Sequence, residues 1–232
     1  METPIHPPSD SGPAHDGTEV FVSPRYLAGP RDDAFEIFTA ALFHHGWTHT
    51  DDGHDITLFT SPCLRIRVGW LPEVHAEAPI QITASTHPLK SPLWHISLDD
   101  HAPTEFLTAV ITTLARSLAE SPHTLFTTDD NQPAALPWEF RVGPRERAWQ
   151  ARFSPAAPPV LVEAFHRAFT DPAPLARQRH ELDPLLLPHL TLTDPTASRL
   201  SGTPAGSQNG PHTQRSTVAP RMAAAPPPAR RR

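Results

Sequence analysis

Hydrophobic and polar positions follow two different periods along the chain, and their order predicts an α+β protein. The segment DITLFTSPCLRIRVGW (55–70) alternates every second residue around a central Ser-Pro pair, which predicts a hairpin. A slip by one residue would bury two arginines, so the pattern specifies the buried face. The predicted inward positions of its second strand are Leu64, Ile66, Val68 and Trp70, and the outward positions are Arg65, Arg67 and Gly69.

Further segments carry either the strand period or the helix period. The predicted strands are EVFVS (19–23), PIQITAS (79–85), LWHISL (93–98), WEFRV (138–142) and AWQARF (148–153). The predicted helices are DDAFEIFTAALFHHG (32–46), PTEFLTAVITTLARSL (103–118) and residues 158–169, with a further short helix within DPAPLARQRHELDPLLLPHLTL (171–192). Each of the three longer helices has an apolar stripe, which a sheet or another helix must cover.

One block of this pattern occurs twice, at a separation of 55 residues. Counterparts fall mainly at inward positions of a strand and of the helix that follows it. The sequence therefore predicts an internal duplication in which both copies bury the same side. Trp94, Leu98, Pro103, Phe106, Leu107, Ala109, Val110 and Leu114 fall on Trp149, Phe153, Pro158, Leu161, Val162, Ala164, Phe165 and Phe169.

These patterns predict antiparallel sheets covered by helices and arranged as two related units. The first unit spans residues 18–121 and is complete. The second spans residues 122–190 and is reduced, without a counterpart of WLPEVHAEAPIQITASTHPLK (70–90). Whether the two units share one sheet is left open by the pattern. Residues 1–17 and the basic Pro/Ala/Arg-rich residues 191–232 are predicted to be disordered.

Composition narrows the class of protein. The 30 prolines are concentrated in both ends and in the connections, so we expect the ordered part to be shorter than the 232-residue chain. The single cysteine, Cys63, excludes an intramolecular disulfide and favours a reducing compartment. The N-terminus has no signal-peptide pattern and the chain has no long apolar run. We expect a cytoplasmic protein that does not span a membrane.

Charge is distributed unevenly along the chain. Residues 195–232 contain six arginines and no acidic residue, whereas the whole chain has a net charge of −6. Such a tail can associate with phosphate backbones, so weak binding to nucleic acid is one hypothesis. The tail contains no aromatic residues between its arginines, which favours a solubilising extension instead.

Four segments of the chain form a recognisable set: VSPRYLAG (22–29), Gly46-Trp47, SPCLRIRVGWLP (61–72) and the helix PTEFLTAV (103–110). Together they resemble the domain-of-unknown-function family 317, which is found mainly in actinobacteria, and PRYLAG is the most specific part of the resemblance. The resemblance covers residues 19–175 and implies two copies of a unit in which a Trp-containing strand precedes a helix. It implies kinship and fold but no reaction. This chain has Ser-Pro-Cys where such proteins often have Ser-Pro-Asp, and its second half has no clear PRYLAG.

Residues with catalytic or metal-binding side chains do not form a recognisable motif. Histidine and aspartate side chains that could bind a metal occur in the loop HHGWTHTDDGHD (44–55), so a metal-dependent enzyme is a further hypothesis. The spacing of these ligands is not that of a known metal site. The trio Asp99, Asp100 and His101 lies between a strand and a helix, where acidic residues commonly serve turns. Neither a nucleophile motif nor a phosphate loop is present. We predict no cofactor and no metal, and the sequence favours the absence of enzymatic activity.

The leading hypothesis is a non-enzymatic, adaptor-like interaction module whose partner is another protein. Apolar positions recur between the two copies, whereas no group of polar side chains is repeated in both. Arg25 and Tyr26 lie in the most specific phrase, Trp47 follows a predicted helix end, and Arg65 and Arg67 project together from the hairpin. We predict these five residues as the surface for a ligand or partner.

Overall fold

The computed structural model describes residues 17–51, 56–71, 78–127 and 136–195, and it confirms the α+β class. The described helices are α1 (Ala34–His44), α2 (Thr104–Glu120) and α3 (Pro159–Thr170). The described strands are β1 (Glu19–Ser23), β2 (Thr48–Asp51), β3 (Thr57–Thr60), β4 (Ile66–Trp70), β5 (Ile80–Ala84), β6 (Trp94–Leu98), β7 (Trp138–Val142), β8 (Trp149–Phe153), β9 (Leu175–Gln178) and β10 (Thr191–Thr193).

Seven strands form one antiparallel sheet in the order β2-β3-β4-β5-β6-β8-β7. The sheet therefore contains strands of both predicted units, and it joins them where β6 pairs with β8. Alternation decides which side chains enter the core: Ile66 and Val68 are buried, whereas Arg67 between them is exposed. Leu64, predicted to face inward, is 56% exposed because it lies in the hairpin turn with φ +60°.

All three helices pack on the inner face of this sheet and share one core with it. Helix α2 lies between α1 and α3 and packs against both. Its buried residues, among them Phe106, Val110 and Leu114, recur at helical spacing, which is the apolar stripe that the sequence predicts. Pro103 and Pro158 are the N-cap residues of α2 and α3, so both copies enter their helix at an equivalent proline.

The register of β6 and β8 relates the two copies by a local pseudo-twofold axis. Ser97 pairs with Arg152, and these residues are separated by the 55 residues of the repeat, so each is the counterpart of the other. The flanking hydrogen bonds obey the same symmetry: Ser154 N–H donates to His95 O and Asp99 N–H donates to Gln150 O, both over 2.9 Å. We call this axis, which passes between Ser97 and Arg152, the repeat axis.

The two repeated tryptophans occupy equivalent positions. Trp94 and Trp149 are 1% and 2% exposed at the first residues of β6 and β8. Each indole Nε1 donates to a backbone carbonyl, that of Leu125 over 2.7 Å and that of Tyr26 over 2.8 Å. Both acceptors lie in short 3₁₀ turns. The predicted duplication, with the same side buried in both copies, is confirmed.

The second copy is reduced in a different way from the one predicted. Strand β7 pairs with β8 as β5 pairs with β6, so β7 is the topological counterpart of β5. Because β5 lies within the segment 70–90 that we predicted to be unmatched, that prediction is wrong for the strand. Only the connection is shorter, residues 143–148 instead of 85–93. Among the described residues, the positions beyond β7 that would correspond to β2, β3 and β4 hold no strand.

The segment predicted to close the second copy with a short helix forms two strands, with two short 3₁₀ turns at Arg179–Glu181 and Leu187–His189 between them. Strands β9 and β10 flank β1 in a second, three-stranded antiparallel sheet. Arg177 of β9 is fully buried, and its guanidinium binds both carboxylate oxygens of Glu105 at 2.8 and 2.6 Å and donates to Gly29 O at 2.9 Å. This pair attaches β9 to the start of α2, across 72 residues of sequence.

Some predictions fall partly or wholly outside the described residues. The predictions for residues 1–16 and 196–232 lie outside the described residues. Strand β10 lies beyond the predicted limit of the second unit at residue 190, within the part that we expected to be disordered. Among the described helices, none combines the length and the apolar character needed to cross a membrane.

Candidate functional site

Arg25 and Tyr26 lie in a 3₁₀ turn after β1 and fasten that turn to the second copy. The side chain of Arg25 is 10% exposed and forms an ion pair with Asp171, just after α3. A hydrogen bond from Ala173 N–H and the Arg25 guanidinium lower the pKa of Asp171. The Tyr26 ring stacks on Phe169, with centroids 5.6 Å apart. Both predicted residues therefore have structural contacts, and Arg25 also lines a groove described below.

Trp47 lies in the core rather than on the surface for a ligand or partner that we predicted. Gly46, with φ +74°, ends α1. The backbone N–H of Trp47 donates to Leu42 O, and the backbone N–H of Gly46 donates to Phe43 O. This is a Schellman motif, which turns the chain back so that Trp47 packs beside Leu42. With 4% of its surface exposed, Trp47 offers little to a partner.

Arg65 and Arg67 lie at β4, away from Arg25 and Tyr26. The Arg65 guanidinium lies 3.4 Å from the centroid of the Phe126 ring, and its Nε donates to Ser85 O. Arg67 is exposed on the outer face and donates to Pro88 O over 3.3 Å. The five predicted residues thus occupy three separate places and do not form one surface.

The trio at the start of α2 is brought together. Asp99, Asp100 and His101 place one ligand atom each within 4.8 Å of one another, and no other such group occurs among the residues described. His101 Nδ1 lies 2.9 Å from both carboxylates. Burial raises the pKa of Asp100. Burial lowers the pKa of His101, but the hydrogen bond to Asp99 and the charge of Asp100 outweigh it, so the pKa is raised.

The backbone explains this trio as a turn. Asp99 accepts a hydrogen bond from His101 N–H, and Ala102 N–H donates to Asp99 O. In the second copy Ala157 N–H donates to Ser154 O in the same way. The turn is therefore common to both copies, whereas the acidic side chains are present in only one of them. The other predicted set of metal ligands is the loop 44–55, of which residues 52–55 lie outside the described residues.

A groove on the outside of the helix layer combines residues of both copies. Its volume is about 820 Å³, and its walls come from α1, α2, α3 and the turns that precede α1 and follow α3. Counterparts in the repeat face each other across it, Ala109 with Ala164 and Thr112 with Arg167. The repeat axis therefore runs through this groove, which we call the repeat groove. Neither copy forms it alone.

The repeat groove has an excess of positive charge. Four arginines line it, against two acidic residues: Arg25, Arg31, Arg116 and Arg167, with Glu105 and Asp171. Both acids already have cationic partners, since Glu105 binds Arg177 and Asp171 binds Arg25. Arg31 is likewise paired with Asp33, so the positive charge of the groove rests on Arg116 and Arg167. Arg116 and Arg167 are exposed on neighbouring helices.

The floor of the groove is made of small and aliphatic side chains. Ile37, Ala109, Ala164 and Pro172 contribute to it. The hydroxyl of Thr108, also in the lining, is buried and has no hydrogen-bond partner in the described structure. The surface thus combines cationic rims with an apolar floor, which suits an amphipathic anionic ligand.

Comparison with known proteins decides the family. The model of the SPDY family, a domain of unknown function also called DUF317, matches residues 60–118 and 120–175 as two adjacent copies. The chain belongs to the SPDY family. No curated protein and no solved structure matches it.

The two SPDY copies correspond to the halves related by the repeat axis. The first match contains β4, β5, β6 and most of α2, and the second contains β7, β8 and α3. The matches are shorter than the span 19–175 expected from the resemblance. The phrase VSPRYLAG (22–29), taken above as the most specific, lies outside both SPDY copies.

The groove arginines on the SPDY helices were not predicted from the sequence. Arg116 and Arg167 each look like an ordinary solvated charge on an amphipathic helix. The signal that could have found one of them is the repeat itself, because Arg167 falls on Thr112, beside the predicted inward positions of the duplicated helix.

Proposed function

We propose that this SPDY protein is a non-enzymatic, adaptor-like module that binds an acidic, amphipathic segment of another protein in the repeat groove. The observation that carries the proposal is that both copies contribute to the groove: residues of α2 line it together with their counterparts on α3, Ala109 with Ala164 and Thr112 with Arg167. An acidic side chain of the partner would lie beside Arg116 or Arg167, and its apolar side chains would pack on Ala109 and Ala164.

The charges in the groove favour a peptide over a nucleic acid. Arg116 and Arg167 are the exposed arginines of the lining on α2 and α3. A continuous phosphate backbone is held by a long series of cationic contacts, which two exposed arginines do not supply, whereas a peptide can place isolated carboxylates beside them. The arginine tail at 195–232 still permits nucleic acid as an alternative, so the test includes it.

The test is fluorescence anisotropy with the full chain and three labelled probes. The first is an amphipathic peptide of about four helical turns with glutamates on one face and leucines on the other. The second has glutamine in place of each glutamate, and the third is an oligothymidylate of similar charge. We expect the acidic peptide to bind most tightly and its binding to weaken as salt is added, because exposed charges are screened.

Two variants assign the binding to the groove. Arg116→Ala/Arg167→Ala should weaken binding of the acidic peptide by about tenfold, because it removes two exposed charge partners. The matched control Arg179→Ala, an exposed arginine outside the groove lining, should leave it unchanged. The proposal is wrong if the glutamine peptide binds as well as the acidic one. It is also wrong if the oligothymidylate binds more tightly and its binding depends on Arg116 and Arg167.

A further inference from the structure

Strand β7 is one of the two ends of the seven-stranded sheet, and it is the more apolar of the two. It pairs with β8 on one side, and no described strand pairs with its other side. Trp138 of β7 is 56% exposed, which is unusual for a tryptophan on a core-facing position. Strand β2 at the opposite end has the sequence THTD and is fully exposed. An unpaired edge with exposed apolar side chains is a template for another strand.

A groove of about 760 Å³ lies between β7 and α3. Its apolar part is formed by Trp138, Phe140, Pro159 and Val162, and its polar part by Glu163, His166, Arg167 and Thr170. The repeat axis explains why this space is open. In the first copy, β4 and β3 lie next to the equivalent strand β5 in the sheet. Helix α1 packs on α2 and covers these strands with Phe35 and Phe38. The described second copy has no counterpart of these elements.

The sequence of β7 is complementary to itself when read in the opposite direction. In an antiparallel pair of two β7 strands centred on Phe140, Glu139 of each copy lies opposite Arg141 of the other. On the inner face, Phe140 lies opposite Phe140, and Trp138 lies opposite Val142. All five residues of the strand then have a suitable partner.

Neighbouring registers are disfavoured by the same charges. Moving the centre to residue 139 opposes two glutamates, and moving it to residue 141 opposes two arginines. A shift by a single residue places inner side chains opposite outer ones. Charges on an edge strand normally prevent pairing, and here they permit one register only.

We infer that the β7 edge is the docking site for β7 of a second copy of this chain, in a twofold-symmetric dimer with one continuous 14-stranded sheet. A self-complementary patch repeated on both subunits is what such symmetry requires. The exposed ring of Trp138 then lies at the interface beside Val142 of the other subunit. The inference rests on the β7 edge and not on the repeat groove, although Arg167 and Thr170 line both grooves.

Charge reversal tests the register. The full chain is studied by sedimentation equilibrium over a range of concentrations, with circular dichroism to confirm that each variant is folded. Glu139→Arg and Arg141→Glu should each raise the dimer dissociation constant by about tenfold or more, because each turns two attractive cross-strand pairs into two repulsive ones. Arg152→Ala is the matched control: it removes the ion pair that Arg152 forms with Glu139 inside one subunit, at 3.3 Å, and should leave dimerisation unchanged.

Mixing the two single variants is the decisive step. One subunit then has arginine at both positions and the other has glutamate at both, so every cross-strand pair is again of opposite charge and heterodimers should form. A wild-type chain that stays monomeric at high concentration overturns the inference. So does a dimer that is insensitive to both reversals, or a mixture that remains monomeric. A chain that dimerises only after removal of residues 196–232 would identify the tail, not a second β7, as the occupant of the edge.

Discussion

Ser97 lies directly opposite Arg152 in the antiparallel pair of β6 and β8, and the same two residues are counterparts in the 55-residue repeat. A residue pair of this kind can occur only where a symmetry axis crosses the sheet. The duplication therefore did not produce two separate domains. It produced one sheet and one helix layer, each built from both copies, with a groove where the axis leaves the helix layer.

The equivalence of Trp94 and Trp149 predicts equal roles in stability. Trp94→Phe and Trp149→Phe each remove a donor from a buried carbonyl and leave unfilled volume, so each should lower the free energy of unfolding by about 2–4 kcal/mol. Chemical denaturation measures this. Trp138→Phe is the control, since Trp138 is half-exposed, and should change stability by about 0.5 kcal/mol or less. Equivalence is lost if one of the two buried variants behaves like the control.

The ion pair between Glu105 and Arg177 predicts a specific weakness. Glu105→Gln leaves the fully buried guanidinium of Arg177 without a counter-charge. We expect a loss of about 2–4 kcal/mol in the free energy of unfolding, below the full cost of breaking a buried pair because Glu105 is 29% exposed. Glu120→Gln at the other end of α2 is the matched control. Equal stability of the two variants would show that the pair does not hold β9 to α2.

His101 predicts a pH dependence of known sign. Its pKa in the folded chain is raised above 6.5, so its contribution to stability is complete below that pH and disappears as the pH rises through the folded pKa. Because the side chain is 58% exposed, the contribution should stay below about 1 kcal/mol. Burial raises the pKa of Asp100, so this group too makes stability fall as the pH rises from 3.8 through its folded pKa.

Proton NMR of the His101 ring measures this shift directly. The wild-type ring should titrate above 6.5, and Asp99→Asn should lower its pKa because the hydrogen bond to a carboxylate is lost. Denaturation from about pH 6 to about pH 8.5 should show a smaller pH dependence for His101→Gln than for the wild type. The control His87→Gln should match the wild type. A ring that titrates below 6.5 would reverse the sign and contradict this prediction.

The local part of the fold could be predicted from the sequence because short-range periodicity determines it. The hairpin before Trp70, the stripe of α2 and the equivalence of Trp94 and Trp149 all follow from spacing within one element or one repeat. The three-stranded sheet could not be predicted, because β9 has only four residues and buries an arginine. Arg177 is acceptable inside the protein only because Glu105, 72 residues away, neutralises it.

The candidate sites were harder to predict for the same reason. Arg25 lines the repeat groove, whereas Trp47, Arg65 and Arg67 lie elsewhere. Arg116 and Arg167 belong to different copies and become neighbours only through the packing of α2 on α3. A groove lined by symmetry-related residues can be recognised from the sequence only when the position of the repeat axis is known. The register of β6 and β8 gives that position.

Disulfide trapping across β6 and β8 tests the repeat axis most directly. In a Cys63→Ser background, which removes the exposed native thiol, Ser97→Cys/Arg152→Cys is compared with the offset pair Ser97→Cys/Gln150→Cys. Directly opposed residues lie about 5 Å apart at Cα and suit a disulfide, whereas diagonal neighbours lie about 7 Å apart and do not. The account predicts rapid formation of an intramolecular disulfide in the first pair and little in the second. Equal or faster trapping of the offset pair, or none in the first, would contradict it.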